Sequence, residues 1–346
     1  MKRVIGALLT IFILWGCTQR PYEVMTTHAV EEWKVTDGEW ATAATLYSAS
    51  IYKDNIVMIL KDNNEYAVNF FTLEGELQKR IPFSMGKGPG EVIYPYAFCI
   101  QDNIIYIYDN RLQKILKMDM DGKYSDDYLL NRFMGYFPCI TVHNNDLYLS
   151  SVYGENLITW FDDHMNIKGA IAGDKTGREL EIGDRAYNGT LAVDHERNEL
   201  YYSNCVLPYK IVKFNMKLEK KGELTSNLVY GYDGYYFTGR LFEGDLVISN
   251  MIIKDHNLYT SVCMRKKSKD KPFFINIFDL EKSKLKYHII CPNLTEVADD
   301  AGMTVRVLGV ENDKIYLFVV QYNPEKKKVE MSIMSVKNPI KGDCDQ

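Results

Sequence analysis

The chain has 346 residues, of which 46% are hydrophobic and 25% charged, a balance that excludes wholesale disorder. It carries 41 Lys and Arg against 46 Asp and Glu, and the net charge of −5 argues against a nucleic-acid binder, which needs a basic face. Its 25 Tyr and 15 Phe favour strands over helices.

Lys2 and Arg3 open the chain, and an apolar run follows from Val4 to Leu14. The run is too short to span a bilayer, which takes about 20 apolar residues, so residues 1–16 are expected to be a signal peptide. It ends in Leu14-Trp15-Gly16-Cys17, which resembles a bacterial lipobox: an apolar residue, a small residue directly before the cysteine, and the cysteine itself. That resemblance implies lipidation of Cys17, and two acyl chains give stable anchoring where one is marginal. Residues 17–29 are then expected to be a tether.

From there a short signature recurs six times: a turn rich in Asn and Asp, then an aliphatic residue followed by Tyr or Val. The aliphatic positions are Ile56, Ile105, Leu147, Leu200, Leu258 and Ile315, spaced 42 to 58 residues apart. Each copy is followed by a second strand with its own anchor, at Phe71, Met118, Phe161, Phe214, Phe278 and Met334. Alternation such as Lys210-Ile211-Val212-Lys213-Phe214 marks half-buried strands. With the strand before each signature and the one after the next turn, each repeat holds four strands.

Repeats of this size and content predict an all-β fold, a six-bladed β-propeller of four-stranded antiparallel blades over residues 30–340. Stacked blades bury both faces, which accounts for much of the aromatic surplus. The last copy lacks a fourth strand, and Val30-Glu31-Glu32-Trp33-Lys34-Val35 has no blade of its own. Residues 30–36 are therefore expected to close the last blade as its outer strand, removing two open edges. Residues 341–346 remain as a tail.

Apart from Cys17, the cysteines are Cys99, Cys139, Cys205, Cys263, Cys291 and Cys344. None forms a Cys-x-x-Cys pair, so a zinc site of the usual spacing is excluded. Equivalent positions of neighbouring blades are expected to lie beyond the roughly 7 Å Cα limit of a disulfide, which favours free thiols.

These features resemble the six-bladed propeller lipoproteins of Bacteroidota described as TolB-like or NHL-like. The resemblance covers Trp40 to Ile340 as architecture. Its most specific match is Gly86-Lys87-Gly88-Pro89-Gly90-Glu91, similar to a Gly-x-Gly-Pro-Gly-Glu loop that follows a blade in that family. Ile107-Tyr108-Asp109 through Lys114-Ile115 and on to Lys123 is similar to an NHL-type blade. The resemblance implies fold and an envelope address without a settled activity. Thr18-Gln19-Arg20-Pro21-Tyr22 lacks the acidic export stretch of surface-exposed relatives, so the outer membrane facing the periplasm is the expected location.

Two groups of residues are candidates for ligand contact. Lys87 and Glu91 belong to the glycine-dense loop, and Arg178 and Glu179 occupy a corresponding inter-blade stretch; together they could line one face near the channel. The loop is no P-loop, since no Gly-Lys-Ser/Thr follows, and its glycines and Pro89 equally suit a purely conformational role. The second group is Tyr235, Tyr236 and Arg240 in a Gly- and Tyr-rich stretch, where exposed rings and a guanidinium suit a glycan or peptide. His143, His195 and His256 precede signatures in consecutive blades, but their offsets differ and turn histidines are the simpler expectation. Asp119-Met120-Asp121-Gly122 fails the calcium-loop spacing and is expected to be a hairpin turn.

No nucleophile elbow or nucleophile–base pair stands out. The expected function is a non-catalytic binding or scaffold module for a protein, peptide or glycan partner, attached to the membrane by lipid, with no cofactor. The alternative is an NHL-like or lactonase-like hydrolase or lyase with a divalent metal in the central channel.

Overall fold

The computed structural model describes residues 22–35, 49–62, 65–130, 136–152, 156–172, 189–204, 211–224, 226, 236–237, 242–243, 247–263, 273–294, 304–323 and 328–340. Six antiparallel sheets follow one another in chain order, with strands lettered a to d from the inside outwards. Blade 1 is Ala49–Tyr52, Asn55–Asp62, Glu65–Thr72 and Leu77–Pro82; blade 2 is Pro95–Gln101, Ile104–Asp109, Lys114–Asp119 and Tyr124–Leu129. Blade 3 is Tyr136–His143, Asp146–Val152, Asn156–Phe161 and Ile167–Ala172; blade 4 is Gly189–Asp194, Glu199–Asn204, Ile211–Asn215 and Lys220–Leu224. Blade 5 is Val247–Lys254, Asn257–Cys263, Phe273–Asp279 and Lys284–Cys291. In blade 6 strands a to c are Thr304–Glu311, Lys314–Asn323 and Lys328–Lys337, and strand d is Val30–Val35 from the N-terminus. The a strands of successive blades touch, and that of blade 6 touches that of blade 1, so the ring is closed.

The signature pairs as expected. Ile56 faces Phe71, Ile105 faces Met118, Leu147 faces Phe161, Leu200 faces Phe214 and Leu258 faces Phe278. In blade 6 the register differs: Ile315 faces Val336, and Met334 faces Leu317.

The cores lie between the blades, and they are built alike. The residue after each aliphatic anchor points to the opposite sheet face, so each interface takes it from one blade and the anchor from the next. Tyr106 shares a cluster with Leu147, Tyr148 with Leu200, and Tyr201 with Leu258. Tyr259 joins Ile315, Tyr316 joins Ile56, and at the remaining interface Val57 joins Ile105. Each such buried side chain contributes about 1.5–3 kcal/mol, so the tyrosines of the signature are packing residues first. Several of their hydroxyls have internal partners: Tyr148 donates to the Met216 carbonyl at 2.8 Å, Tyr201 to Glu199 at 2.6 Å, and Tyr259 accepts from Asn338 at 3.3 Å.

Turn chemistry explains the Asn and Asp of the signature. Both central residues of the a–b turns Asp102-Asn103, Asn144-Asn145, Asp255-His256 and Asn312-Asp313 have positive φ, between 48° and 90°. Two such residues make the hairpin turn that matches strand twist, and Asn and Asp tolerate that conformation best. The c–d turns repeat as well. The side-chain oxygen of Thr72, Asp119, Asp162 or Asn215 accepts the backbone N–H groups two and four residues on. Asp119 to Gly122 is therefore the hairpin turn expected of it.

Within the stretch expected to be tether, Glu23–Thr26 forms a strand of its own. It runs parallel to strand d of blade 5, with Glu23 opposite Tyr287 and Thr26 opposite Ile290. Asn293 fixes the passage to the closing strand, donating to the Ala29 carbonyl at 2.7 Å and accepting from the Ala29 N–H at 3.0 Å. The three described thiols, Cys99, Cys139 and Cys291, are free.

Candidate functional site

The a–b turns and the d-to-a connections mark opposite faces of the ring. On the a–b face, inner strands of blades 3 and 4 end beside each other and bring two histidines together. His143 Nδ1 and His195 Nδ1 are 3.1 Å apart, with the rings stacked at 5.3 Å. His143 Nε2 lies 2.8 Å from Asn198 Oδ1. Asn144 Nδ2 also lies 3.1 Å from that Nε2, so the nitrogen faces both an acceptor and a donor; where it donates to Asn198, His143 Nδ1 accepts from His195. His143 is buried, and desolvation together with the neighbouring His143 holds the His195 imidazole below its usual pKa, although Asp102 and Asp194 pull it up. His256 takes no part in the pair; its Nε2 lies 3.7 Å from Glu196. Asp194 turns one oxygen to the N–H groups of Glu196 and Arg197, and its other oxygen is buried without a hydrogen bond. Among the described residues no three His, Cys, Asp or Glu side chains converge as a metal site would require.

On the opposite face, the loop from Gly86 to Glu91 joins strand d of blade 1 to strand a of blade 2. Glu91 folds back over it and accepts from the Gly88 N–H at 2.6 Å. A Cβ on Gly86 would fall 2.0 Å from the same carboxylate, so glycine is required there by close approach. Beneath the loop lies Lys114, 2% exposed, donating to the carbonyls of Gly88 at 3.1 Å and Glu91 at 2.7 Å and to Asp127 at 3.0 Å. Asp109 completes the support, accepting from the N–H groups of Ile93 and Tyr94 with one oxygen and of Arg111 and Leu112 with the other. The Glu91 carboxylate is thus engaged within its own loop, while Lys87 is exposed.

Arg178, Glu179, Tyr235 and Arg240 lie outside the described residues, as does Cys17. Tyr236 lies opposite Glu243 where the short strands Tyr236–Phe237 and Phe242–Glu243 pair antiparallel. The strands flanking 173–188 and 225–246 end and begin on the same face as the Gly86–Glu91 loop, because all three stretches are d-to-a connections. Lys114, Asp109 and Asp127 were not singled out from sequence as site residues. Asp109 and Lys114 belong to the stretch similar to an NHL-type blade, and Asp127 lies just beyond it.

This is a six-bladed β-propeller with a polar rim at one end of its inner strands and a self-bonded loop at the other. Residues 45–160 match the model of the DUF5128 family, described as a 6-bladed beta-propeller. Among solved structures, a "Putative exported protein" from Bacteroides fragilis aligns over 91% of this chain and 99% of its own, at 11% identity and a TM-score of 0.56. A member of the duf4221 family from Bacteroides vulgatus aligns over 90% of this chain and 96% of its own, at 10% identity and a TM-score of 0.55. At such identities the likeness is one of fold. No curated protein matches the chain.

Proposed function

We propose that the chain is a lipoprotein of the cell envelope, held by Cys17 in the outer membrane on its periplasmic side, whose propeller binds a protein, peptide or glycan without catalysis. The observation that carries the address is the apolar run ending in Gly16-Cys17, only six residues before the first strand at Glu23. The Bacteroides fragilis structure of similar fold is described as exported, which supports the same address. The binding role is supported by the d-to-a face, where Lys87 is exposed on a loop held rigid from below by Lys114. Mass analysis of the purified full-length protein tests the anchor: a diacylglyceryl adduct on Cys17 is expected, and an unmodified chain retaining residues 1–16 overturns it. Thermal-shift screening of the Cys17→Ser chain against glycans and peptides tests binding. A ligand at 100 times its Kd adds about 2.7 kcal/mol, a shift easily measured.

A second reading, a metal-dependent hydrolase or lyase, is favoured by one observation, the meeting of His143 and His195 at the mouth of the ring. Stoichiometric zinc in the purified protein, lost in a His143→Ala variant, would support it over the binding module.

A further inference from the structure

The N-terminal strand determines where a lipid-anchored chain leaves the ring. Glu23–Thr26 lies on the outer edge of blade 5, and Tyr22 packs beside the core between blades 4 and 5. Cys17 is five peptide steps from Tyr22. Those steps span at most about 18 Å fully extended, whatever path they take. The edge of blade 5 is therefore confined near any bilayer that holds Cys17. Blade 2, three positions away in a ring of six, is diametrically opposite.

The surface at that exit is suited to a headgroup layer. Tyr22 and Glu23 line a shallow pocket with Asp279, Lys282, Lys284 and Lys286. Lys282 is paired with Asp279 at 3.5 Å. Among the described residues, Lys284 and Lys286 have no carboxylate within ion-pair distance, and Lys286 extends over the Tyr287 ring. Ammonium groups beside tyrosine rings are the side chains that favour a membrane interface, with charge toward phosphate and ring toward the acyl boundary.

We propose that this edge of blade 5, with Tyr22, Lys284 and Lys286, is the membrane-contacting surface of the lipidated protein, and that the two lysines engage lipid phosphates. The ring then stands on its edge, with blades 1 and 2 and the Gly86–Glu91 loop pointing away from the bilayer. This rests on lipidation of Cys17.

The test uses the full-length lipidated protein in vesicles of phosphatidylethanolamine and phosphatidylglycerol, with the soluble Cys17→Ser chain as reference. Lysine acetylation rates are read residue by residue by mass spectrometry. Lys284 and Lys286 are expected to react severalfold more slowly on vesicles, while Lys87 and Lys123 on the far side keep their rates. Unchanged rates at Lys284 and Lys286 overturn the proposal, and so does comparable slowing at Lys87 or at Lys123, which lie on opposite faces of the ring, since slowing of either one means that the ring lies flat on that face. Slowing of Lys284 and Lys286 in the Cys17→Ser chain by inorganic phosphate alone also overturns it, in favour of a free-anion pocket. The lipid adduct on Cys17 is weighed in the same sample, so failure of the anchor is seen separately from failure of the orientation.

Discussion

Lys314 Nζ donates to Glu32 Oε1 at 2.8 Å, tying strand b of blade 6 to the N-terminal strand that closes the ring, 282 residues away in sequence. Ser335 of strand c donates to the same oxygen. Burial alone would raise the Glu32 carboxyl, but these bonds and the lysine charge outweigh it and leave its pKa below the usual value. The Lys314 ammonium is correspondingly raised, chiefly by its bond to Glu32. A lowered carboxylate contributes stability above its unfolded pKa and loses it as pH falls through the folded value. A raised lysine contributes below its unfolded pKa and loses it as pH rises through the folded one. The pair should therefore hold between acid below about 4.5 and alkali above about 10.5, the ordinary values of the two groups. Glu32→Ala should cost about 1–2 kcal/mol in urea unfolding at pH 7 and flatten the acid limb of the stability profile.

Deleting residues 22–38 removes both N-terminal strands and exposes the edges of blades 5 and 6. Loss of the cooperative thermal transition is expected by calorimetry. A transition at the parent temperature would mean that the ring is closed by other contacts.

Much of this closure was legible in the sequence, and the reason is periodicity. Val30–Val35 stood out because the sixth repeat was one strand short, and the Asn and Asp turns stood out because positive φ restricts residue choice. Glu23–Thr26 left no such mark. Four residues pairing in parallel on an outer edge need neither a fixed turn nor a missing partner. The histidine pair was illegible for a different reason. His143 and His195 are 52 residues apart in repeats of unequal length, so spacing did not reveal that their rings meet.

That pair gives a second pH dependence. His195 is held below the usual histidine pKa by desolvation and by His143, so its neutral form is the one that the fold favours. A lowered pKa means stability present above the unfolded value and lost as pH falls through the folded one. Thermal stability should decline below about pH 6.5, the unperturbed histidine value, and His195→Asn should flatten that decline. An equal decline in the variant would assign it to other groups.

Lys114 supports the most sequence-specific loop of the chain. Its ammonium is buried under Gly88, Glu91 and Asp127, and Lys114→Met would take the cation from Asp127, leaving that carboxylate only the Gly90 N–H and the Gly88 carbonyl only the Glu91 N–H, and would strip the Glu91 carbonyl of its side-chain donor. Breaking a buried pair from one side costs about 3–5 kcal/mol. Urea unfolding should show a loss of that order, with hydrogen exchange rising first at Gly90 and Glu91. A loss below about 1 kcal/mol, the level of an exposed pair, would mean that water replaces the ammonium easily.

The thiols should be inert. Burial raises the Cys99 and Cys139 thiols, with Cys139 adding to the effect on Cys99, and burial pushes Cys291 up to about 12. Since the thiolate is the nucleophile, iodoacetamide should label buried Cys291 only after unfolding, and half-buried Cys99 and Cys139 much more slowly than in the unfolded chain. Rapid labelling of Cys291 in the folded protein would show that strand d of blade 5 opens locally.

Gly75 offers the sharpest test of how the ends of the chain join. It sits in the c–d turn of blade 1 at φ +94°, a conformation that L side chains rarely adopt. A Cβ there would fall 2.6 Å from the indole of Trp33, which stands on the closing strand and donates from Nε1 to the Leu73 carbonyl at 3.1 Å. Trp33 thus reaches past blade 6 to grip blade 1, and it packs on Phe71 at 5.3 Å between ring centres. Gly75→Ala should cost more than the roughly 1 kcal/mol of backbone strain alone, because the indole must also move. Trp33→Phe removes the Leu73 hydrogen bond and most of the clash, so the double variant should lose less than the sum of the two singles. Additive losses within about 0.3–0.5 kcal/mol would show that Gly75 and Trp33 act independently and that this contact does not hold the ring closed.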